Sequence, residues 1–445
     1  MQIDTNLESL YPGHVATLRG RLDKALSNSP SRGLVIASGT PHDTFLDDHP
    51  YPFVVNPHFK AWVPLTDLPD SFLLIRENER PILIYNQPRD YWHKPPADPA
   101  GFWTEEWDIH TVTSIKDVHN LLGDPKTLAF IGEETELARS WGFEQINPKA
   151  LLDALHYERA YKTPYELAAL QLANVNAARG HRVAEAAFRR GESEFGIQHA
   201  YLGAIHAREK QTPYSSIVAL NENCAVLHYQ HYEMAAPAEL HSMLIDAGAN
   251  IYGYAADVTR TYAHRPGLFA DLIASMDKEQ QGIISEIVPG MNYAELHRRM
   301  HYRLASVLKE FDLVDMTADA MVETNVTSTF LPHGLGHLLG LQTHDVGGYQ
   351  QDRSGATQPP PEIYPALRLT RPIAECEVFT IEPGLYFIPM LLDELRNSDH
   401  GKAVNWSKVS SLLPCGGIRI EDNVAVVDGK PVNLTRDAFA AVADE

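Results

Sequence analysis

The chain has 445 residues, with 37 lysines and arginines against 58 aspartates and glutamates, and a formal net charge of −21. This length provides enough apolar area for two domains or one large one. The acidic balance, with no block of basic residues, argues against nucleic acid and anionic membranes as partners. No apolar run is long enough to span a bilayer, so no membrane partner is predicted.

The N-terminus and the cysteines together predict a cytoplasmic protein. The first thirty residues lack the basic end and continuous apolar core of a signal peptide, and an amphipathic helix is predicted after Thr5 or Asn6. The three cysteines are far apart, odd in number and set in neither a paired metal spacing nor a redox motif. They are Cys224, Cys376 and Cys415.

Short apolar segments in the first third of the chain predict the strands of one sheet. They lie at 33–38, 72–75, 82–85 and 128–132. Near residue 160 the composition changes, because Thr163-Pro164 opens a run of about seven helical turns that ends at Gly191. Proline at the first position is typical of a helix start, so two domains are predicted, 1–160 and 161–445.

Beyond this point, helices and strands alternate in an order that favours an α+β domain with a largely antiparallel sheet. Helices are predicted near 195–209, 268–287 and 293–311. Strands are predicted near 216–219, 225–229, 242–248, 255–262, 377–382 and 417–427.

Two carboxylates stand out in "LIDAGANIYGYAADVTRTYA", residues 244–263. If its two strands form a hairpin about the turn at 250–253, Asp246 and Asp257 lie directly opposite each other, with Cβ atoms roughly 5 Å apart. The central turn residues suit a two-residue loop poorly, which leaves a bulged register open. Either aspartate alone could be a turn residue. Opposed together in apolar strands, they call for a proton or a cation between them.

Three later stretches repeat the anomaly. "VFTIEPGLYF" places Glu382 at the end of a strand, and "GGIRIEDNVAVV" places Glu421 in a strand with Arg419 on the same face. "FLPHGLGHLLG" offers His333 and His337 among small residues. Taken singly, Glu421 and Arg419 could form an ordinary ion pair, and either histidine could be a hydrogen-bonded core residue. Together, four carboxylates and one imidazole indicate two divalent cations, with Mn²⁺, Co²⁺, Fe²⁺ and Zn²⁺ as the suitable ions.

At these residues the sequence resembles the pita-bread metallopeptidases, the group of methionine aminopeptidase, aminopeptidase P and prolidase. The family motifs DAGA, D-x-T-R-T, HGLGH, IEPG and RIED are all present. The five ligands of the family's dinuclear metal centre match Asp246, Asp257, His337, Glu382 and Glu421. The closer resemblance, over nearly the whole chain, is to the bacterial Xaa-Pro dipeptidases, the prolidase branch that includes the organophosphorus acid anhydrolases.

This resemblance implies an α+β fold, with a pita-bread catalytic domain and a smaller creatinase-like α/β N-terminal domain. It also implies a homodimer with two divalent ions per subunit, Mn²⁺ foremost. The implied activity is hydrolysis of dipeptides with C-terminal proline by a hydroxide bridging the two ions. A side activity on organophosphorus triesters is a secondary expectation.

The resemblance further implies roles for residues beyond the ligands. Glu382 is expected to accept the proton of the attacking water, and His228 or His333 to stabilise the oxyanion. Arg419 is expected to bind the carboxylate of the dipeptide. The other residues expected to line or support the substrate pocket are Tyr214, Tyr293, His344 and Arg371.

Two alternatives stay open from the sequence. One is cleavage of longer X-Pro peptides in the manner of aminopeptidase P. The other is a pita-bread binding module that has lost its metals, against which the five matched ligands argue. No H-E-x-x-H or G-x-S-x-G motif occurs, and the glycines near His337 miss the G-x-G-x-x-G spacing.

Overall fold

The computed structural model describes residues 3–27 and 29–443. It combines helices with several β-sheets, in the α+β class that the sequence predicts. Within the described part of the chain, no helix is both long and apolar enough to cross a bilayer.

The predicted N-terminal helix spans Leu7–Leu26. Asn6 caps it, because the Asn6 side chain accepts a hydrogen bond from the backbone nitrogen of Ser9 at 3.3 Å. Val15 and Leu22 are buried on its inner face. The helix start is therefore as predicted, and the helix buries one face as an amphipathic helix does.

A six-stranded mixed sheet forms the centre of the N-terminal part, and all four predicted strands belong to it. In spatial order its strands are Asp108–Val112, Ile82–Asn86, Phe72–Arg76, Gly33–Ala37, Ala129–Ile131 and Gln145–Ile146. Gly33–Ala37 is buried at every position. Leu34 and Ile36 join one apolar cluster, and Val35 joins another. A strand covered on both faces reads as a continuous apolar run, which is why the sequence signal is strong here.

Helices surround this sheet and lead into the C-terminal part. The α-helices of this part after the first are Pro57–Lys60, Ile115–Val118, Thr135–Ser140 and Lys149–Arg159. The long helix Pro164–Arg189 begins where the sequence predicts. Thr163 and Glu166 form a capping box, in which the Thr163 nitrogen donates to Glu166 Oε2 at 2.8 Å.

The C-terminal part holds four small sheets with helices around them. Its strands are Ile217–Leu220, Ser242–Asp246, Asn250–Ile251, Tyr254–Ala255, Thr259–Ala263, Val378–Ile381, Gly384–Tyr386, Gly417–Arg419, Asp422–Val427 and Lys430–Asn433. Its α-helices after the long one are Glu194–Ala204, Leu268–Ser285, Tyr293–Glu310, Ala318–Glu323, Val326–Phe330, Pro389–Asn397, Trp406–Leu412 and Leu434–Ala441. The pairings between these strands are antiparallel, as predicted.

The hairpin that carries the two aspartates exists, but its predicted register is wrong by two residues. Asp246 pairs with Thr259 and does not lie directly opposite Asp257. The turn is made by Tyr252 and Gly253, whose φ angles of 53° and 88° match a tight type I′ turn. Only the glycine signals such a turn in the sequence. Tyr252 is held there by an edge-to-face contact with Phe102 of the N-terminal part, at 5.8 Å.

The strand predicted at 225–229 is also wrong, because a 3₁₀ turn, Asn221–Ala225, ends the preceding strand. Asn221 adopts a φ of 56°, and its side-chain oxygen accepts a hydrogen bond from the backbone nitrogen of His241 at 2.7 Å. An asparagine in the left-handed region turns the chain away from an extended path, and its side-chain bond to the segment before the strand Ser242–Asp246 fixes that turn.

Candidate metal centre

Asp246 and Asp257 face the same space even though the register differs from the predicted one. Asp246 ends its strand opposite Thr259, and Asp257 lies two residues before Thr259. A shift of two residues preserves the face, since side chains alternate with a period of two. The two carboxylates are therefore diagonal neighbours across the hairpin.

The small residues around His337 allow two backbone segments to approach closely. A Cβ atom at Gly336 would overlap the carbonyl oxygen of Thr380 and the hydroxyl of Tyr293. The backbone nitrogen of His337 donates to Thr380 Oγ1 at 3.2 Å. Glycine at 336 thus lets the His337 segment lie directly against the strand that leads to Glu382.

The ring of His337 is oriented with one nitrogen towards the acids. Nδ1 lies 3.0 Å from the carbonyl oxygen of Leu338, which fixes the proton on that nitrogen. Nε2 then faces the carboxylates, 3.4 Å from Asp257 Oδ2 and 3.7 Å from Glu382 Oε1. An imidazole held in this way by a carbonyl is a typical metal ligand.

Glu421 completes a compact group with two of these residues. Its Oε2 accepts a hydrogen bond from Thr259 Oγ1 at 2.8 Å. One potential ligand atom from each of Asp257, His337 and Glu421 lies within 4.8 Å of the others, and all three residues are buried. This group lies where the sequence predicts a metal site.

The electrostatics of the carboxylates support a cation between them. Burial raises the pKa of Glu421 well above its usual range, with the Asp257 and Glu382 carboxylates adding to the effect. Burial also raises the pKa of Asp246, and that of Glu382 to about 7. For Asp257, burial is the largest single influence and would raise the pKa, but the hydrogen bond and charge of His337, the Tyr214 hydroxyl and the His344 charge together lower it. Carboxylates this crowded are stable in their charged form only beside positive charge, so the donor set fits divalent ions.

Asp246 already has partners. Arg419 Nη2 donates to Asp246 Oδ2 at 2.8 Å, and the hydroxyl of Tyr214 donates to Oδ1 at 2.8 Å. Arg419 Nε also lies 3.4 Å from Thr259 Oγ1. The sequence places Arg419 beside Glu421 but does not reveal this pairing with Asp246, which depends on contact between separate strands.

Tyr386 connects two residues of the cavity wall, and the sequence does not single it out. Arg419 Nη1 donates to its hydroxyl oxygen at 2.9 Å, and this oxygen lies 2.9 Å from His333 Nε2. His333 Nδ1 lies 2.8 Å from the Gly334 carbonyl oxygen, so Nδ1 carries the proton and Nε2 accepts from Tyr386. Only the strand pairing that sets Tyr386 opposite Gly417 could have pointed to this link.

A cavity of about 1210 Å³ opens onto these groups. Its wall includes the five predicted ligands, together with Tyr214, His228, His333, His344 and Arg419. His228 and His344 are exposed. The His344 ring is perpendicular to that of His337, with 4.4 Å between centroids.

Tyr293 and Arg371 do not line the cavity, so supporting the pocket is the expected role that stays open for them. Tyr293 is fully buried and donates to the Thr380 carbonyl oxygen at 2.7 Å, so it supports the strand behind the site. Arg371 is buried 2.9 Å from Glu377, and its Nη2 donates to the Tyr161 hydroxyl at 2.8 Å. Its guanidinium is committed to partners away from the cavity.

The fold and the site define a hydrolase-type metal centre of carboxylates and one imidazole. The profile described as metallopeptidase family M24 matches residues 168–428, and the Xaa-Pro dipeptidase N-terminal domain matches residues 9–157. The chain belongs to metallopeptidase family M24.

Relatives cover almost the whole chain. The Xaa-Pro dipeptidase of Pseudoalteromonas haloplanktis is 49% identical over 433 residues, which is 97% of this chain and 98% of the relative. That of Aeromonas hydrophila subsp. hydrophila is 48% identical over 437 residues, 98% of this chain and 99% of the relative. A solved variant of Escherichia coli aminopeptidase P has a TM-score of 0.71 at 20% identity, covering 97% of this chain and 99% of its own. This last likeness concerns the fold.

Proposed function

We propose that the protein is an Xaa-Pro dipeptidase, which hydrolyses dipeptides whose second residue is proline. The observation that carries this proposal is the group of four carboxylates and one imidazole on the wall of a cavity in an M24 chain. Relatives that are 49% and 48% identical over nearly full length bear this name.

Two divalent ions are proposed to bind each chain, and Mn²⁺ is the proposed native ion. Two such ions would bring four positive charges among the four carboxylates, of which Asp246 also pairs with Arg419, and hard oxygen donors with one imidazole suit Mn²⁺. The proposed ligands are Asp246, Asp257, His337, Glu382 and Glu421. When bound, ions of this kind polarise a carbonyl group and lower the pKa of water.

Glu382 is proposed to take the proton of the attacking water on its carboxylate. The group lies on the cavity wall, with Oε1 3.7 Å from His337 Nε2 and Oε2 3.7 Å from His333 Nδ1. The carboxylate lies between two imidazoles and accepts a hydrogen bond from Thr380 Oγ1 at 3.4 Å, so it is positioned on the cavity wall for such a transfer.

His228 is proposed to donate to the oxygen of the scissile carbonyl, and His333 to hold its neighbours in place. His228 is exposed on the cavity wall, so its ring is available to substrate. Both nitrogens of His333 are already engaged, with the Gly334 carbonyl and the Tyr386 hydroxyl. The family resemblance names either histidine as the group that stabilises the oxyanion. The exposed ring of His228 supports His228 for this role over His333.

Arg419 is proposed to bind the carboxylate of the dipeptide while keeping its protein partners. A guanidinium has five N–H donors, and three are used here, by Asp246, Tyr386 and Thr259. Two donors remain on a residue of the cavity wall. A dipeptide has a free carboxylate at this position and a longer peptide does not. Arg419 is proposed to recognise the dipeptide by binding this carboxylate.

The test is hydrolysis of Ala-Pro, Ala-Pro-Ala and Ala-Ala by chelator-treated protein, with and without added Mn²⁺. Metal-dependent cleavage of Ala-Pro alone would support the proposal. Cleavage of Ala-Pro-Ala would replace it with an aminopeptidase P-like activity. Absence of cleavage with Mn²⁺, Co²⁺, Fe²⁺ or Zn²⁺ would contradict an enzyme role and favour a binding module.

The remaining proposals concern the setting of the enzyme. A boundary between two domains is proposed at residue 160, after the helix Lys149–Arg159. A homodimer in the cytoplasm is proposed, and the free thiols of the three cysteines support a reducing compartment. A small dipeptide is the proposed substrate. The net charge of −21 argues against binding of nucleic acid. Hydrolysis of organophosphorus triesters stays a prediction.

A further inference from the structure

Residues 338–345 form a closed loop that makes one edge of the cavity. The backbone nitrogen of Asp345 donates to the carbonyl oxygen of Leu338 at 2.9 Å, which joins the two ends. Gln342 and His344 lie on the cavity wall, whereas Asp345 is buried and does not line it. The loop begins directly after His337, so its shape sets how the His344 ring meets the metal site.

The loop is anchored from behind by a buried ion triad. Asp345 accepts from Arg159 Nη2 through Oδ1 and from Lys162 Nζ through Oδ2, the latter at 3.0 Å. Arg159 Nη2 also donates to Gln342 Oε1 at 2.7 Å. The three charged side chains are 7% exposed or less. Burial acting alone would raise the pKa of Asp345, but the two cations lower it to about 2.

Both cations come from the connection between the two parts of the chain. Arg159 ends the helix Lys149–Arg159, and Lys162 follows three residues later. The N-terminal part also binds this loop directly, because Lys60 Nζ donates to the carbonyl oxygen of Leu341 at 3.3 Å. The edge of the cavity that carries His344 is thus held by residues outside the metal centre.

We propose that Arg159 and Asp345 are positioning residues, which fix the loop 338–345 and thereby place His344 against the bound dipeptide. The proposal rests on the dipeptidase function proposed above. It assigns to the ion triad a role in substrate affinity, separate from that of the metal ligands. Fixing a cavity edge in advance lowers the ordering cost of binding, so the effect falls on KM.

The variant that tests this is Arg159→Met. The triad carries two positive charges and one negative charge, so removing Arg159 leaves the neutral pair of Asp345 and Lys162 and allows the chain to fold. Asp345→Asn would leave two buried cations without an anion, and it serves only as a second variant for comparison. Arg303→Met is a matched control, because Arg303 bridges Glu279 and Glu286 away from the cavity.

Steady-state kinetics with Ala-Pro and elemental analysis of bound Mn²⁺ give the readout. Arg159→Met is expected to raise KM at least threefold with kcat within twofold and the metal content unchanged, and Arg303→Met to change neither. A KM less than threefold above that of the wild type would overturn the proposal, as would a rise accompanied by loss of metal. If the wild-type protein fails to cleave Ala-Pro, the proposed function and this inference are both contradicted. If the wild-type protein is active and Arg159→Met has an unchanged KM, this inference alone is contradicted.

Discussion

Arg419 and Asp246 form a buried ion pair on the wall of the cavity, with 2.8 Å between Nη2 and Oδ2. They lie on different strands of the C-terminal part, and the pair offsets one of the four carboxylates of the site. Because the Tyr214 hydroxyl holds the other oxygen of Asp246, the carboxylate plane is fixed. Each oxygen keeps a further lone pair for a metal ion.

The role of Arg419 is testable through a substrate comparison. Wild type is expected to cleave Ala-Pro about 100-fold better in kcat/KM than Ala-Pro amide, because a charge-assisted bidentate pair contributes roughly 2–3 kcal/mol. In Arg419→Met this preference should fall to about threefold or less. Any loss of metal in the variant affects both substrates alike and cancels in the ratio. A preference that persists in the variant would show that another group binds the carboxylate.

Tyr386→Phe tests the link between Arg419 and His333. Loss of the hydroxyl leaves buried polar atoms on both sides without a partner, which costs about 1–3 kcal/mol. We expect a lower Tm and a kcat reduced about tenfold, both measurable on the purified variant. Tyr165→Phe is the control, since the buried Tyr165 hydroxyl has no hydrogen-bond partner in the described structure and its removal should leave both values unchanged. Equal effects of the two substitutions would contradict the link.

The sequence predicts the chemistry of the site better than its geometry. The candidate ligands stand out because acids in apolar segments are anomalous wherever they occur, and the strand Gly33–Ala37 is predicted correctly because its apolar run is continuous. The hairpin register is not predicted correctly, because the turn places Tyr252 at a positive φ that a tyrosine side chain does not favour. Tyr386 is missed for a related reason, because a buried tyrosine in a strand reads as ordinary core until its cross-strand partners are known.

Gly336→Ala tests the close approach beside His337. The added methyl group would overlap the Thr380 carbonyl oxygen, so the His337 segment must move away from the strand. We expect a loss of more than about 2 kcal/mol in stability and a reduced Mn²⁺ content. Gly20→Ala is the control, because no atom lies within 4 Å of its added Cβ and alanine favours the helix by about 1 kcal/mol. Retention of full Mn²⁺ content in Gly336→Ala would contradict the packing argument.

The stability of the protein should depend on pH through Asp345. Its pKa is about 2 in the folded chain, below an unfolded value of about 3.9, so its contribution is present above pH 4 and is lost as the pH falls towards 2. The difference in unfolding free energy between wild type and Asp345→Asn should therefore shrink by roughly 2 kcal/mol between pH 5 and pH 2.5. Urea unfolding at several pH values measures it. A constant difference across this range would show that Asp345 is not held charged by its partners.

The most direct measurement is a Mn²⁺ titration of chelator-treated protein, followed by the rate of Ala-Pro hydrolysis and compared with Glu421→Gln. The expected result is no activity without metal, a rise that saturates at two ions per chain, and a variant that stays inactive at the same ion concentrations. Full activity in the metal-free protein, or a titration of Glu421→Gln that matches wild type, would contradict the assignment of these buried carboxylates to a catalytic metal centre.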